Sequence, residues 1–297
     1  MNGLIVLNKP LNISSHDAVF KVKKILKEKK VGHTGTLDPL ASGILIICVG
    51  SATKLSQYLT TDTKSYRAKI MLGLSTKTYD LEGEIEQECD VNIQEDLIDK
   101  TIESFIGKSM QYPPLYSAIK KDGKKLYEYA LKGEEVEVEP REIEVFSAKR
   151  ISPITYENNK VLFEVDFNVS KGTYIRSIAS DFGKKIGVPS VLAGLVRHEC
   201  SGFTLEDACT LEDVAQNNFN LISPLDALKD YLFVSDENSI NKAKNGMKIS
   251  YRYIKDLYND TPLKFVVTDN EKLIAIYKLS FNEELKTSYY KADTVWN

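Results

Sequence analysis

The amino-acid sequence predicts an α+β fold: a central, mainly antiparallel mixed sheet flanked by helices, with a small β-rich unit at the C-terminal end. Three observations predict it. Segments with the two-residue apolar period of strands and segments with helical spacing follow one another without the regular alternation of a doubly wound parallel sheet. The 297 residues, 42% of them hydrophobic, are enough for one large domain and a small one, since single cores rarely grow past ~250–300 residues. The pattern also breaks at Ser223-Pro224 in "LISPLDALKDY", so residues 1–228 read as the main domain and 229–297 as a compact tail docked on it.

Taken in order, "LIVLNKP" is a buried strand stopped by Pro10, which has no donor for a ladder. "SSHDAVFKVKKILKEK" is a helix with Ser15 as N-cap; Ala18, Val22, Ile25 and Leu26 share its apolar face and its lysines fall on the others. The Gly/Pro-rich loop "GHTGTLDPLASGIL" runs into a second buried strand, "GILIICVG", followed by a short helix in "SATKLSQYLTT". "KSYRAKIMLG" alternates, placing Tyr66, Ala68, Ile70 and Leu72 on one face of a strand. "NIQEDLIDKTIESFIG" is an amphipathic helix through Ile93, Leu97, Ile98, Ile102 and Phe105. Asp122-Gly123 marks a turn that leads into a helix ending at Gly133. "EVEVEPREIEVFSAKRI" and "KVLFEVDFNVS" read as sheet strands, "KGTYIRSIASDFGKKIG" as a turn and a helix closed by Gly187, and "FVVTDNEKLIAIYKL" as a hairpin in the tail.

Composition narrows the function classes. No apolar run approaches the ~20 residues of a membrane span, and "MNGLIVLNKP" has no leader pattern, so a cytoplasmic protein is expected. Four cysteines without a C-x-x-C pair, and only three histidines, disfavour a structural metal. A net charge of −3 speaks against nucleic acid, yet "KVKKILKEKK" and "KKDGKK" are basic while "DLEGEIEQECD" and "GEEVEVEPREIE" are acidic. That segregation can make a cationic face on an acidic protein, although solvated faces would look the same. Gly32, Gly35 and Gly43 lack the Gly-Lys-Ser/Thr ending of a phosphate loop, and no G-x-S-x-G elbow exposes a serine. Asp38 stands out because Pro39 stiffens the turn behind it. Spacing alone favours an ordinary Asp-Pro turn for Asp38 and a satisfied loop histidine for His33.

"GHTGTLDPLASGIL" resembles the signature G-H-x-G-x-L-D-P-x-A-x-G of the TruB family of tRNA pseudouridine synthases. Further blocks resemble that family in order: "VLNKP", "ATKLSQYL", "KSYRAKIMLG", "PPLYSAIKKDGKKLYEYA", "SKGTYIRSIASDFG" and "AGLVRHECSGF". The resemblance spans residues 3–228, and the remainder resembles a small PUA-type RNA-binding domain. It implies a pseudouridine synthase fold and isomerisation of uridine 55 in the tRNA T-loop, by a monomer whose partner is the T-arm stem-loop.

The implied reaction breaks the N1–C1′ bond, turns the uracil and joins C5 to C1′, with no atom gained and no redox change. No cofactor or metal is needed; a reactive carboxylate is. The resemblance assigns that role to Asp38, with Arg176 as its bidentate counter-ion, Tyr66 as stacking partner and proton relay, and Tyr174 and Leu195 as base-pocket residues. It assigns His33 to the space vacated when the nucleotide flips out, and Lys9 and Lys54 to pocket support or phosphate contact. Whether Asp38 attacks C1′ or C6, or assists glycal formation, stays open. The family often has an acidic residue within "LG-x-x-T-D-T" where this chain has Lys77, and Asp80 is near enough in sequence to substitute. Two rival readings keep the scaffold: a tRNA-binding or tRNA-folding protein without catalysis, which would have no use for the carboxylate, and a related synthase acting on another RNA.

Overall fold

The computed structural model describes residues 1–59 and 63–296, and its main body is a ten-stranded sheet. The strand path runs Gly3–Lys9, Ala41–Val49, Ser190–Cys200, Thr63–Leu72, Lys160–Ser170, Arg141–Arg150, Gly107–Gln111. Every step is antiparallel except Ala41–Val49 beside Ser190–Cys200, where Leu195 pairs with Ala41 and Arg197 with Gly43. The mainly antiparallel, mixed sheet agrees with the sequence reading.

Helices Ser15–Leu26, Glu95–Glu103 and Ile175–Ile186 cover one face, around a core that includes Ile5, Leu7, Val22, Leu45, Ile70, Phe163 and Phe182. The alternate residues Leu4, Val6, Ile44 and Ile46 point the other way and pack on Val266, Leu273 and Ile276 of the C-terminal unit. Burial on both faces explains why the first two strands read as unbroken apolar runs rather than as alternation.

The C-terminal unit is a five-stranded sheet ordered Leu232–Val234, Lys264–Thr268, Leu273–Asn282, Thr287–Val295, Ile249–Ser250. It contains the expected hairpin and also two helices, Glu237–Lys244 and Tyr251–Tyr258, that the β-rich reading missed. Each is only eight residues long, too short for helical periodicity to stand out. Its last strand is tied to the main body by Tyr58, whose hydroxyl donates to Asp293 Oδ2 at 2.8 Å, and by Trp296, whose Nε1 donates to Ser51 O at 3.1 Å.

Several local expectations are corrected. Ser14, not Ser15, caps the first helix, exchanging hydrogen bonds with Asp17 in a capping box. Residues 134–140 lie outside any strand, since Val136 and Val138 supply little apolar face and Pro140 offers no N–H; the strand starts at Arg141. Leu97 is exposed, because the helix Glu95–Glu103 buries Ile98, Thr101 and Ile102 instead. In "SATKLSQYLTT" only Gly50–Leu55 is helical, as a 3-10 turn, and Thr60 and Thr61 fall outside the described residues.

Gly43 is required by the parallel pairing. Its φ is +103°, and a Cβ there would lie 2.2 Å from the Arg197 carbonyl oxygen. Gly43→Ala should therefore destabilise the protein by ~3 kcal/mol or more in chemical denaturation, from strain and backbone displacement together. Gly32, where a Cβ would meet nothing closer than 3.8 Å, is the comparison: Gly32→Ala should stay within ~1 kcal/mol of wild type.

Candidate active site

The loop at residues 34–40 links strand Val31–His33 to strand Ala41–Val49. Ala41 N donates to Asp38 O at 3.0 Å, closing a turn with Pro39 at its second position, where a fixed φ is favourable. Arg197, fully buried, holds the inner side of the loop: Nε donates to Ile44 O at 2.7 Å, Nη2 to Gly35 O at 3.1 Å and Nη1 to Thr36 O at 3.4 Å. Leu37 is sunk in the core. The neighbouring Asp38 side chain, 40% exposed, faces a cleft of about 1050 Å³.

Opposite it stands Arg176, in the first turn of helix Ile175–Ile186, with a side chain only 6% exposed. Its Nε lies 2.9 Å from Asp38 Oδ2 but not along a good N–H direction, so the contact is an ion pair rather than a directed hydrogen bond. The expected bidentate clasp is therefore not formed. The Nη atoms are engaged elsewhere: Nη1 with Thr78 O at 3.1 Å and Asp80 Oδ2 at 3.4 Å, Nη2 with Tyr116 O at 2.9 Å. Asp80 is buried, while Lys77 turns to solvent and pairs with Glu84 at 2.6 Å. The carboxylate near the arginine thus comes from position 80, as the sequence allowed.

Tyr66, Tyr174 and Leu195 line the same cleft. Burial pushes the Tyr66 phenol up, against the opposing pull of the Arg197 guanidinium, and keeps it neutral. Burial also raises Tyr174, whose backbone is gripped by Gln111: Tyr174 N donates to Oε1 at 2.8 Å and Nε2 donates to Tyr174 O at 3.1 Å. A carboxylate, a flat aromatic and an apolar wall in one cleft suit a planar heterocycle on a sugar, with the charged group at the bond to be exchanged.

The remaining sequence candidates sit outside that lining. Lys9 is fully buried, and its Nζ donates to Pro10 O at 2.9 Å and Ile13 O at 2.8 Å. Lys54 Nζ donates to Val295 O at 2.8 Å and lies 5.7 Å from the Trp296 ring, a grip on the C-terminal unit. His33, one residue before the cleft, has a buried Nδ1 without a hydrogen-bond partner, and burial lowers its basicity. Sequence reasoning did not single out Arg197 or Gln111, which act on backbone. It also passed over Lys64, Arg141 and Lys171, which put positive charge in the cleft wall.

Residues 23–175 match the family model described as "TruB family pseudouridylate synthase (N terminal domain)". A "tRNA pseudouridine synthase B" of Staphylococcus haemolyticus is 41% identical over 93% of this chain and 94% of that one. One of Bacillus pumilus is 48% identical over 72% of this chain and 70% of its own. A chain in the crystal structure of a Cbf5–Nop10–Gar1 complex shares the fold at 24% identity, with a TM-score of 0.69 over 99% of this chain and 84% of that one. The fold is thus that of a pseudouridylate synthase. Within that class, the chain belongs to the TruB family.

Lys9 provides a pH signature for the loop. Burial lowers its ammonium from 10.5 to about 8, with the Asp38 charge opposing. The unfolded amine keeps the higher value, so between about pH 8 and 10.5 the unfolded chain binds more protons and this group's contribution to stability rises with pH. Below pH 8 its unfavourable contribution is constant. In denaturation series, the stability difference between wild type and Lys9→Met should be flat from about pH 6 to 7.5 and move in favour of wild type from 8 to 10.5.

Proposed function

We propose that this chain is a tRNA pseudouridine synthase that isomerises uridine 55 of the T-loop, with Asp38 as the reacting carboxylate. The observation that carries the proposal is the half-exposed Asp38 carboxylate, 2.9 Å from the buried Arg176 in a cleft walled by Tyr66, Tyr174 and Leu195. The arginine keeps a positive charge against the carboxylate when substrate fills the cleft. Asp38 then adds to the nucleoside, or promotes elimination at the sugar, while N1–C1′ breaks; the detached uracil turns on Tyr66 and rejoins through C5. As C5 joins C1′, Asp38 is left as the free carboxylate. The C5 proton is handed to solvent through the Tyr66 hydroxyl, which gives up its own proton as it takes this one, and N1 takes up a proton in exchange, so no net proton is gained or lost. A protein that only bound RNA would gain nothing from a carboxylate aimed into the cleft.

To reach the cleft, the nucleotide flips out of its loop, a step of a few kcal/mol. His33, beside the cleft mouth and held neutral by burial, suits insertion into the vacated stack better than proton transfer. Lys64, Arg141 and Lys171 in the wall, with the exposed Lys21, Lys23, Lys24, Lys27, Lys29 and Lys30, give phosphates a cationic track. Residues 229–297 extend the RNA surface as a PUA-like unit. Lys54 acts through its hold on that unit rather than on the base.

Tritium release from C5-labelled uridine in a T-arm transcript tests the chemistry. Asp38→Asn should lower the rate by at least ~10³-fold while keeping most of the RNA affinity. Release at the wild-type rate would refute the assignment. For the footprint, reversing the charge of Lys21, Lys23 and Lys24 should weaken binding and flatten its salt dependence by a slope of roughly 0.7–0.9 for each phosphate that is no longer neutralised. Unchanged affinity at every salt concentration would remove that helix from the interface.

A further inference from the structure

Two adjacent serines stand at the start of the first helix, Ser14 before it and Ser15 as its first residue, and only Ser14 caps it. The Ser15 hydroxyl, 2% exposed, goes elsewhere: Oγ accepts from Leu37 N at 2.8 Å and donates to Leu37 O at 2.9 Å. Leu37 O belongs to the peptide plane that carries the Asp38 amide nitrogen, so this hydroxyl holds the plane from which Asp38 projects. On the other side, Asn12 N donates to Pro39 O at 2.9 Å. The segment 12–15 thus grips the chain before and after Asp38, at the Leu37–Asp38 peptide by the Ser15 side chain and at the Pro39–Leu40 peptide by the Asn12 backbone. Arg197 holds Gly35, Thr36 and Ile44 and does not reach Leu37 or Pro39 in its hydrogen bonds.

We propose that Ser15 is a positioning residue for the reaction: it fixes the Leu37–Asp38 peptide plane so that the carboxylate stays aimed into the cleft beside Arg176. The helix that Ser15 begins also bears the exposed Lys21, Lys23 and Lys24, so the clamp joins that basic helix to the Asp38 turn. Without it, a buried N–H and C=O lose their partner and the peptide plane turns to find others. Displacement of a reacting group by about 1 Å lowers a rate by as much as ~10²-fold.

This inference rests on the proposed pseudouridine synthase activity, so wild type on the T-arm transcript is the first arm of the test. No release by wild type would sink that reading, and amide exchange at Leu37 would still report on the clamp. With wild type active, Ser15→Ala should lower kcat by ~10–100-fold, leave KM within about twofold and speed amide exchange at Leu37. Ser14→Ala, which removes the helix cap and leaves the clamp, should lower the melting temperature but keep kcat within about twofold at temperatures well below melting. Ser15→Thr, which keeps the hydroxyl, should recover more of kcat than Ser15→Ala. The proposal is overturned if Ser15→Ala turns over at the wild-type rate, or if Ser14→Ala loses as much kcat, since both patterns mean that the hydroxyl contributes only stability.

Discussion

The ion pair between Asp38 and Arg176 is the constraint around which the molecule is arranged. A guanidinium taken almost wholly out of water is tolerable only when its donors and its charge are matched. Here the match is divided: Thr78 O and Tyr116 O take hydrogen bonds, Asp80 supplies a buried negative charge, and Asp38 supplies a second one at the cleft. Because the Nη groups are committed to that surround, Arg176 meets Asp38 by one edge and without a directed hydrogen bond. That geometry holds the carboxylate beside the guanidinium by charge alone and leaves it able to move away from the arginine, which a bidentate clasp would oppose.

Holding the carboxylate loosely by charge requires holding its backbone firmly. Arg197 commits its guanidinium to carbonyls of the loop and of strand Ala41–Val49. Gly43, at positive φ, lets strand Ser190–Cys200 come close enough for that reach, at the parallel pairing of the sheet. The same strand brings Leu195 opposite Ala41, so the apolar wall and the loop anchor arrive on one element. Gln111 performs the equivalent task on the far wall by fixing the Tyr174 backbone.

The legible part of this arrangement was whatever leaves a periodic or motif-like trace. Alternation in "KSYRAKIMLG" placed Tyr66 correctly on the buried face, and the turn chemistry of Asp38-Pro39 placed the carboxylate on a stiff loop. Residues that bond to backbone left no such trace. Ser14 and Ser15 are the same residue type at adjacent positions, and a choice between cap and clamp depends on where Leu37 arrives in space. For Lys9 and Lys54 the resemblance left pocket support and phosphate contact open; burial against Pro10 and Ile13, or a bond to the final strand, is a tertiary fact that the residue type does not announce. Arg197, in the middle of an apolar strand, carried the one available signal, since a charge there is buried only when it is fully engaged.

The C-terminal unit belongs to this scaffold for the same reason. Strands Gly3–Lys9 and Ala41–Val49 carry apolar side chains on both faces, and the face away from the helices is covered by Val266, Leu273 and Ile276. Uncovering Leu4, Val6, Ile44 and Ile46 would expose four large aliphatic side chains, each contributing ~1.5–3 kcal/mol when fully buried. That loss would fall on the strand that begins three residues after Asp38 and accepts the Arg197 Nε hydrogen bond at Ile44. The tail therefore steadies the Asp38 turn through the back of the sheet, by that apolar face and by the ties at Tyr58, Lys54 and Trp296.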